Sequence, residues 1–359
     1  MNIGFFYGMR TYPPENGGNV HGYQLVRGLV NNGHKLQSCY FGNHNDPDVH
    51  DRRGRELLSF IRDIDIAYIR LEWETPAPLI SALNLLSLNR VPVVWEINGT
   101  PRELFFSGHK QDDIDRLNRR IRRWAHLCAG AIAVSKDIDD YARTFFGIKN
   151  VTTISNGSDP EKFFPSEKPV DRKKPLEAIW LGTSNAGWFD LDCLFEAATI
   201  LHQRSANIEI KIFGNKAPLE GRSLPPNIKL EGAVPYTELG VRMSTADVGL
   251  HLLKFNETHG FHQGGSPLKL FDYMACGLAT ITNREGQQTE IIDKYKIGIH
   301  CEPTAVGVAD ALMALERDRE RCVVMGANGR KAVVDTYNWR NTGKATSDFL
   351  EAVLAKHRQ

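Results

Sequence analysis

Two doubly wound α/β domains that face a central cleft are the fold predicted by this 359-residue sequence. Three observations support the prediction. Short apolar runs alternate with amphipathic segments in the first half, a proline-rich and charged stretch interrupts the pattern, and the same alternation then restarts. Alternating β and α segments are typical of a parallel sheet covered by helices on both faces. At about 100–200 residues per domain, the length agrees with two domains.

The first half opens with a strand, "NIGFFYG", and a helix, "HGYQLVRGLVNNGHKL", which Gly33 closes before a second strand. Further strand candidates are "DIAYIRL", "VPVVWEI", "GAIAVS" and "VTTISNG", most of them preceded by a helical pattern. We expect these segments to form an N-terminal domain over residues 1–165.

The second half repeats the pattern after a stretch that contains prolines at positions 160, 165, 169 and 175. Such a stretch reads as a connection between domains. The strands "EAIWLG", "IEIKIFG", "IKLEGAV", "DVGLHLL" and "ATITN" then alternate with the helices "DLDCLFEAATILHQR" and "YTELGVRMSTA". We expect a second domain over residues 166–335 and a terminal helix over 336–359.

Composition and charge exclude several classes of protein. The net charge is +1, which gives no overall field for nucleic acid, so no nucleic-acid partner is expected. The six cysteines form no CxxC pair, which argues against a zinc site or a disulfide framework. The N-terminus lacks the features of a signal peptide, and no stretch reaches the roughly 18 apolar residues of a membrane span. We therefore expect a cytoplasmic protein.

Two glycine-containing loops precede predicted helices and are candidate anion sites. Gly17 and Gly18 follow the first strand, but a glycine pair alone is more often an ordinary strand–helix turn. In "GGSPLKLFDYMACGLATI" (264–281), Pro267 suits the start of a helix near Leu268. The amides of that helix start, with Lys269, would favour an anion. Asp272 would then accept hydrogen bonds from ribose hydroxyls, or simply be a solvated carboxylate of the first turn.

These residues resemble a known family. "SPLKLFDYMACGLATI" is similar to the nucleotide-sugar-binding segment of retaining GT-B glycosyltransferases of family 4 (group 1). "GGNVHGYQLVRGLVNNGHKL" resembles the acceptor-side glycine loop and helix of that family, and "AVSKDIDDYARTFFGIKNVTTISNGSDPEKFFP" resembles the segment running into its linker. "NIKLEGAVPYTELGVRMSTADVGLHLL" resembles the stretch that cradles the donor base. "YNW" (337–339) resembles the start of the terminal helix that crosses back to the first domain.

The resemblance implies a GT-B fold and transfer of a hexose-type sugar from a nucleoside-diphosphate sugar to a glycan or lipid-linked glycan. Candidate donor-binding residues follow the strands of both domains or lie in the 264–281 segment. They are Gly17, Gly18, Gly182, Thr183, Ser184, Asn185, Gly214, Val234, Lys254, Gly265, Ser266, Pro267, Leu268, Lys269 and Asp272.

The chain also departs from the family pattern. Gly264 stands where the family has its first glutamate, and Asp272 replaces the second. "GTSNAGWFDLD" (182–192) lacks the usual arginine and lysine, so Lys254, Lys269 or Arg284 would supply that charge. Many relatives place a histidine after the fourth strand, where this chain has Glu96 and Asn98 with His109 downstream. These three residues are the candidate catalytic set, for orienting or assisting the acceptor.

Two alternatives remain open at this point. One is a catalytically weakened, transferase-like binding subunit that works with a partner transferase subunit, since fold does not determine function. The other is a nucleotide-sugar epimerase of the non-hydrolysing type, which shares the fold but requires acid and base carboxylates that the sequence does not place.

The chemistry of the expected reaction needs no resident cofactor. A departing nucleoside diphosphate needs positive charge on its β-phosphate, which helix N-termini and a lysine provide. Three Asp-x-Asp pairs invite a metal hypothesis, but carboxylates in a first helical turn are favoured by the helix dipole. We predict no metal and no cofactor.

The segment 112–128, "DDIDRLNRRIRRWAHLC", carries an apolar stripe and a face of five arginines. A surface helix packed on the sheet with a solvated basic face explains this pattern. The alternative is peripheral docking at the inner face of an anionic membrane that carries a lipid-linked acceptor, at about 1 kcal/mol per basic residue.

Overall fold

The structure is a computed structural model, and it describes all but a few short segments of the chain. The described residues are 1–9, 11–15, 17–39, 44–52, 56–71, 77–166, 170–182, 187, 189–219, 221–256, 260–261, 265–283 and 286–359.

The described strands, in chain order, are β1 (Asn2–Phe6), β2 (Lys35–Cys39), β3 (Val49–Arg52), β4 (Ile66–Arg70), β5 (Val93–Ile97), β6 (Gly130–Ala133), β7 (Val151–Thr153), β8 (Leu176–Leu181), β9 (Ile208–Phe213), β10 (Ile228–Leu230), β11 (Val248–His251), β12 (Phe255–Asn256), β13 (Gly260–Phe261), β14 (Ala279–Thr282) and β15 (Gly298–His300).

The described α-helices are α1 (Gly17–Asn31), α2 (Leu57–Asp63), α3 (Ala77–Leu88), α4 (Gln111–Ala125), α5 (Lys136–Tyr141), α6 (Leu191–Gln203), α7 (Tyr236–Ser244), α8 (Leu268–Ala275), α9 (Gln287–Tyr295), α10 (Ala305–Arg317), α11 (Arg319–Asp335) and α12 (Trp339–His357). Short 3-10 helices cover Pro101–Ser107 and Ala217–Leu219, and a π-helical turn covers Ala142–Phe146.

The chain divides into two compact units. The first comprises the described residues within Met1–Asn156, Gln263–Ser266 and Trp339–Gln359, so α12 belongs to it. The second comprises those within Gly157–His262 and Pro267–Asn338. The domain limits expected at 165/166 and 335/336 stay a prediction.

The first unit is built on a seven-stranded parallel sheet with the order β3-β2-β1-β4-β5-β6-β7. The strand order reverses between β1 and β4, and doubly wound sheets bind ligands at the carboxyl ends of the strands around such a switch point. β1, β4 and β5 are almost entirely buried, because helices cover both faces of a parallel sheet.

The second unit contains a six-stranded parallel sheet with the order β10-β9-β8-β11-β14-β15. Its switch point lies between β8 and β11. Trp180 of β8 is fully buried in the core that α6 and α10 form on one face of this sheet. The predicted α/β class with two Rossmann-like units is therefore confirmed.

The sequence pattern missed four of the described strands, β3, β12, β13 and β15, and β3 is the longest of them. Its sequence, VHDR, is short and mostly polar, and only Val49 is buried. Parallel pairing with β2 at the edge of the sheet makes it a strand, and this tertiary effect leaves no apolar run to detect.

Helix α12 packs on α1 through two glycines. A Cβ added at Gly343 would lie 2.5 Å from the Cα of Gly28, and one added at Gly28 would lie 2.7 Å from the Cα of Gly343. The two backbones therefore approach so closely that neither position has room for a side chain.

We expect Gly343→Ala to destabilise the protein by about 1–3 kcal/mol, because the added methyl forces the helices apart. The direction of this stability change is informative, because in an unconstrained helix interior the same replacement would stabilise the protein by about 1 kcal/mol. Urea unfolding, with hydrogen exchange of α12, measures the effect. Lys344→Ala, at the exposed neighbouring position, is the matched control and should change stability little. A stabilised Gly343→Ala variant would contradict the close packing.

Candidate functional site

A buried polar network lies at the carboxyl ends of β1, β4 and β5 in the first unit, and Glu96 is its centre. Glu96 is 1% exposed. Its Oε2 accepts from the Tyr68 hydroxyl at 2.6 Å. Its Oε1 lies 2.8 Å from Nε2 of His21, 2.6 Å from Nδ2 of Asn98 and 3.4 Å from Nη1 of Arg70. One carboxylate thus faces four polar groups.

The network keeps Glu96 ionised. Burial alone would raise the pKa of Glu96, but attraction to His21 and Arg70 and hydrogen bonds from His21 and Tyr68 hold it well below its ordinary value. A carboxylate only accepts hydrogen bonds, so Nε2 of His21 carries the proton in this contact. The opposite ring nitrogen, Nδ1, is buried without a hydrogen-bond partner among the described residues.

The glycine loop after β1 is joined to this network. Arg70 donates to the hydroxyl of Tyr7 at 2.8 Å, and that hydroxyl donates to the carbonyl oxygen of Gly18 at 2.7 Å. Gly17 and Gly18 do not precede the helix, as the sequence suggested, but form its first residues. The Tyr7 contact holds the start of α1 beside the end of β1.

The residues before α8 pack within the first unit. Ser266 is buried, its Oγ lies 3.0 Å from Oγ of Ser155, and its carbonyl oxygen accepts from Asn156 Nδ2 at 2.6 Å. A Cβ at Gly265 would lie 2.6 Å from the carbonyl oxygen of Asn98. Gly265 is therefore required by a close backbone approach next to the Glu96 network.

His109 lies apart from that network among the described contacts. It follows the 3-10 helix Pro101–Ser107, its side chain is 44% exposed, and its Nδ1 lies 3.9 Å from Asp113. Of the three candidate catalytic residues, the structure brings Glu96 and Asn98 together and places His109 at the surface near the start of α4.

In the second unit, Lys269 lies in the first turn of α8, which begins at Leu268 as predicted. Its Nζ is buried, has no hydrogen-bond partner among the described residues, and lies 3.7 Å from the Phe189 ring centroid and 4.8 Å from that of Trp180. Burial lowers the pKa of Lys269 to about 7. A cation that only aromatic faces contact in the described part of the chain remains available to an anion.

Two glycines at the carboxyl ends of β8 and β9 make room for this arrangement. A Cβ at Gly182 would lie 2.8 Å from Nζ of Lys269, and one at Gly214 would lie 2.4 Å from the carbonyl oxygen of Gly182. Val234 precedes α7 and Lys254 follows β11, both half-buried. Thr183, Ser184 and Asn185 lie outside the described residues.

Asp272 does not sit in a solvated first turn. It is 6% exposed, and its Oδ1 accepts from the Ser158 hydroxyl at 2.6 Å. Burial raises the pKa of Asp272 to about 7, although the hydrogen bond from Ser158 opposes this. Pro267 is the residue at the N-cap of the same helix. A role for Asp272 at a ribose stays a prediction.

We expect Asp272→Asn to stabilise the protein at pH 8 by about 1–3 kcal/mol. The folded-state pKa of Asp272 lies above its ordinary value of 3.8, so this group's contribution to stability is lost as pH rises from about 4 to 7. Asparagine keeps the acceptor for Ser158 but carries no charge.

Urea unfolding at pH 4 and pH 8 measures this difference. Asp348→Asn, at a position where the side chain is 60% exposed, is the control and should show no such pH dependence. An Asp272→Asn variant that is equally or less stable at pH 8 would refute the unfavourable buried charge.

Sequence reasoning missed four members of the Glu96 network: Tyr7, His21, Tyr68 and Arg70. Arg70 ends β4 and Tyr7 follows β1, so a list of polar residues at strand ends would have found both. His21 lies one turn into α1, where its position in the sequence gives no signal. Tyr68 reads as a core aromatic because it lies within a buried strand.

Two further properties concern the described residues as a whole. These residues contain no group of three or more His, Cys, Asp or Glu side chains that could hold a metal ion. None of their helices is long and apolar enough to cross a membrane.

Comparison with known proteins agrees with this architecture. A model of "Glycosyltransferase Family 4" matches residues 15–162, and one of "Glycosyl transferases group 1" matches residues 189–332. Together the two matches cover most of the chain and fall on its two parallel-sheet units. The chain belongs to the GT-B glycosyltransferases of family 4, group 1.

Two solved structures show the same fold. The "Sucrose-phosphate synthase (tll1590)" from Thermosynechococcus elongatus is 14% identical with a TM-score of 0.72, covering 99% of this chain and 100% of that one. Anabaena Alr3699/HepE, solved in complex with UDP and glucose, is 13% identical with a TM-score of 0.70, covering 98% and 100%.

A curated relative is similar over a shorter stretch. The "GDP-mannose-dependent alpha-(1-6)-phosphatidylinositol monomannoside mannosyltransferase" of Mycobacterium tuberculosis is 29% identical over 125 residues. The match covers 34% of this chain and 32% of the relative. The chain thus matches about a third of the length of this relative.

Proposed function

We propose that this chain transfers a sugar from a nucleoside-diphosphate sugar to a hydroxyl of a glycan or lipid-linked glycan. We further propose that the reaction retains the anomeric configuration and needs no metal ion. The observation that carries the proposal is Lys269, a buried cation without an anionic partner among the described residues, beside Gly182 at the carboxyl edge of the second sheet.

The reaction makes one main electrostatic demand, which this lysine would meet. Cleavage of the sugar C1–O bond leaves negative charge on the β-phosphate of the departing diphosphate. A preorganised cation and the N-terminus of α8 would stabilise that charge. Binding of the diphosphate would in turn give Lys269 the partner that it lacks.

The acceptor hydroxyl loses its proton as the new glycosidic bond forms. We place that proton on the departing phosphate. The acceptor oxygen attacks C1 from the face that the phosphate leaves, so the configuration is retained without a protein base. Glu96 is held by four polar groups and its pKa is lowered, so it is a poor proton acceptor. Its proposed role is to fix His21, Asn98 and Arg70 where they contact the acceptor.

The donor base and sugar are best decided by experiment, because the relatives name two donors. The Mycobacterium tuberculosis protein is GDP-mannose-dependent, and the Anabaena structure holds UDP and glucose. Titration calorimetry with UDP, GDP, UDP-glucose and GDP-mannose, followed by transfer assays, tests both. Retention is read from the anomeric coupling constant of the product, and metal independence from activity in EDTA.

The possible outcomes separate the proposal from its alternatives. Transfer to a glycan or lipid-linked acceptor, with binding of one base, supports it. Failure to bind any nucleotide would refute it. Donor binding without hydrolysis or transfer, across a panel of acceptors, would favour a binding subunit of a partner transferase. Conversion of the donor sugar without an acceptor would favour the epimerase.

We also propose that α4 docks on the cytoplasmic face of an anionic membrane. Ile114 and Ile121 are buried, whereas Arg116, Arg119, Arg122 and Arg123 are exposed. Exposed arginines attract anionic lipids at about 1 kcal/mol each. Flotation with phosphatidylglycerol vesicles, but not with phosphatidylcholine vesicles, is expected. Flotation that is unaffected by replacing these arginines with glutamine would exclude α4.

A further inference from the structure

A cavity of about 800 Å³ lies at the amino-terminal edge of the second unit's sheet. Its wall includes Pro175, Ala246 and Gly277, which lead into β8, β11 and β14, and α11 runs along one side. Gly182 and Lys269 lie at the carboxyl edge of the same sheet. The cavity is therefore separate from the candidate donor residues.

The polar feature of this cavity is Arg319, a buried guanidinium that is 6% exposed. It donates to the carbonyl oxygens of Lys174 at 3.0 Å and Asp171 at 3.5 Å. Its Nε has no hydrogen-bond partner among the described residues. Since a guanidinium has five N–H donors, Arg319 keeps unused capacity.

Arg330 adds a second guanidinium that is also bonded only to neutral oxygens. It donates to the carbonyl oxygens of Phe163 at 2.7 Å, Pro160 at 2.9 Å and Ala275 at 3.1 Å. Burial lowers the pKa of Arg330. In the described part of the chain, neither arginine pairs with a carboxylate, although buried arginines are normally paired.

Four carboxylates also line the cavity: Asp171, Glu177, Asp247 and Asp335. Each has its own partner. Asp335 pairs with Lys331 at 2.8 Å, and Glu177 pairs with Lys211. The other two accept from main-chain N–H groups at 2.9 and 3.0 Å. No described contact joins either guanidinium group to one of these carboxylates.

The remaining lining is largely apolar. Val170, Val323 and Val334 are 42%, 55% and 49% exposed, which is high for large apolar side chains, and all three line the cavity. Leu176 and Ala327 continue this surface. An apolar surface next to a buried guanidinium group that bonds to no described carboxylate matches a ligand with one anionic end and one apolar end.

We propose that this cavity binds an anionic amphiphile, a molecule with a phosphate or carboxylate head on an apolar chain. The head pairs with Arg319 and satisfies its free donors. The chain lies along the exposed valines and removes them from water. The same chemistry is found in a lipid and in a free alkyl or acyl anion, and the site does not depend on the proposed transfer reaction.

The probe is decyl phosphate below its critical micelle concentration. The matched controls are decanol, which is uncharged, and decyltrimethylammonium, which is cationic. Titration calorimetry on the full chain should show one decyl phosphate bound per chain, at least about tenfold tighter than either control. Val334→Glu places a like charge in the cavity lining and should weaken binding at least about tenfold. Val306→Glu, at an equally exposed position of α10 that does not line the cavity, should leave it unchanged.

Arg319→Gln, which removes the proposed partner of the anionic head, is a second variant that should weaken decyl phosphate binding. A melting scan of all variants shows whether each one folds. Sedimentation with phosphatidylglycerol vesicles identifies the source of the ligand. Capture that Val334→Glu abolishes supports a lipid, and decyl phosphate binding without capture supports a free amphiphile. No saturable binding, equal binding of all three probes, or equal loss in Val306→Glu would overturn the proposal.

Discussion

Replacing Lys269 with methionine is expected to stabilise the protein and to remove most of its affinity for nucleoside diphosphates. The two effects have one cause. Nζ of Lys269 is buried against aromatic rings without a described hydrogen-bond partner, which lowers its pKa to about 7. The buried charge therefore destabilises the folded protein until an anion binds beside it. Opposite changes in stability and binding are typical of residues kept for function.

The stability effect has a defined pH dependence. The pKa of Lys269 is about 7 in the folded protein, below its ordinary value of 10.5, so the unfolded chain binds more protons between these values. Stability therefore rises with pH from about 7 to 10.5, and the unfavourable contribution is complete below pH 7. We expect Lys269→Met to be more stable than the wild type at pH 6.5 by on the order of a few kcal/mol. The stability of the variant should not rise between pH 7 and pH 10.5 as that of the wild type does.

The binding effect should be confined to the phosphates. A charge-assisted contact contributes about 1.5–3 kcal/mol, so affinity for UDP or GDP should fall about 10- to 100-fold. Affinity for uridine or guanosine should stay within about threefold of the wild type, because the free nucleoside has no phosphate for Lys269 to contact. At pH 8 the wild type should also take up a proton on binding, which makes the calorimetric enthalpy depend on the buffer.

Lys229→Met is the control for the loss of a lysine charge in the same unit. Lys229 is exposed and pairs with Glu209, and its replacement should change neither stability nor binding by much. Equal losses of affinity for nucleoside and diphosphate would remove the phosphate role of Lys269. A destabilised Lys269→Met variant would show that the aromatic contacts outweigh the burial of the charge.

The alternation of apolar strands and amphipathic helices was enough to predict the α/β fold. β4, β5, β8 and β11 are largely buried, so the sequence of each is mostly apolar. The start of α8 at Leu268 followed from the preference of proline for the beginning of a helix. β3 was missed because its pairing, not its sequence, makes it a strand.

The sites were harder to predict than the fold, because sequence distance hides which polar groups meet. His21 and Glu96 are 75 positions apart in the sequence, yet Nε2 of His21 lies 2.8 Å from Oε1 of Glu96. For Asp272 the sequence left open a ribose contact or a solvated carboxylate, and burial against Ser158 argues against the second. For Lys269 the residue type and helix position suggested an anion contact, and the structure adds the burial that makes its charge unfavourable in the unliganded protein.

Glu96→Gln is expected to cost about 3–5 kcal/mol of stability in the first unit. Glutamine has the size of glutamate, but its amide turns one acceptor oxygen into a donor. In either orientation the new NH2 group faces other donors, either Tyr68 or the group of His21, Asn98 and Arg70. Arg70 also loses its described counterion. Tyr68→Phe, which removes one donor and leaves the charges in place, should cost about 1.5–3 kcal/mol, the contribution of a hydrogen bond to a charged group.

The same network predicts an acid-sensitive stability. The folded-state pKa of Glu96 lies well below its ordinary value of 4.5, so the stability it contributes is present above that value and is lost as pH falls below it. Glu96→Gln lacks this contribution, so its stability should fall less than that of the wild type between pH 5 and pH 3. Hydrogen exchange of the β4 and β5 amides measures the effect within the first unit, where His109→Ala is the exposed control.

Activity provides the second measurement. Glu96→Gln at neutral pH should retain binding of the diphosphate, because Glu96 lies in the first unit and Lys269, the proposed phosphate contact, lies in the second. Transfer to the acceptor should fall at least about tenfold, since His21, Asn98 and Arg70 lose the carboxylate that orients them. Unchanged exchange rates in β4 and β5 would contradict the structural role of Glu96. Loss of transfer in His109→Ala, but not in Glu96→Gln, would move acceptor binding from the Glu96 network to the start of α4.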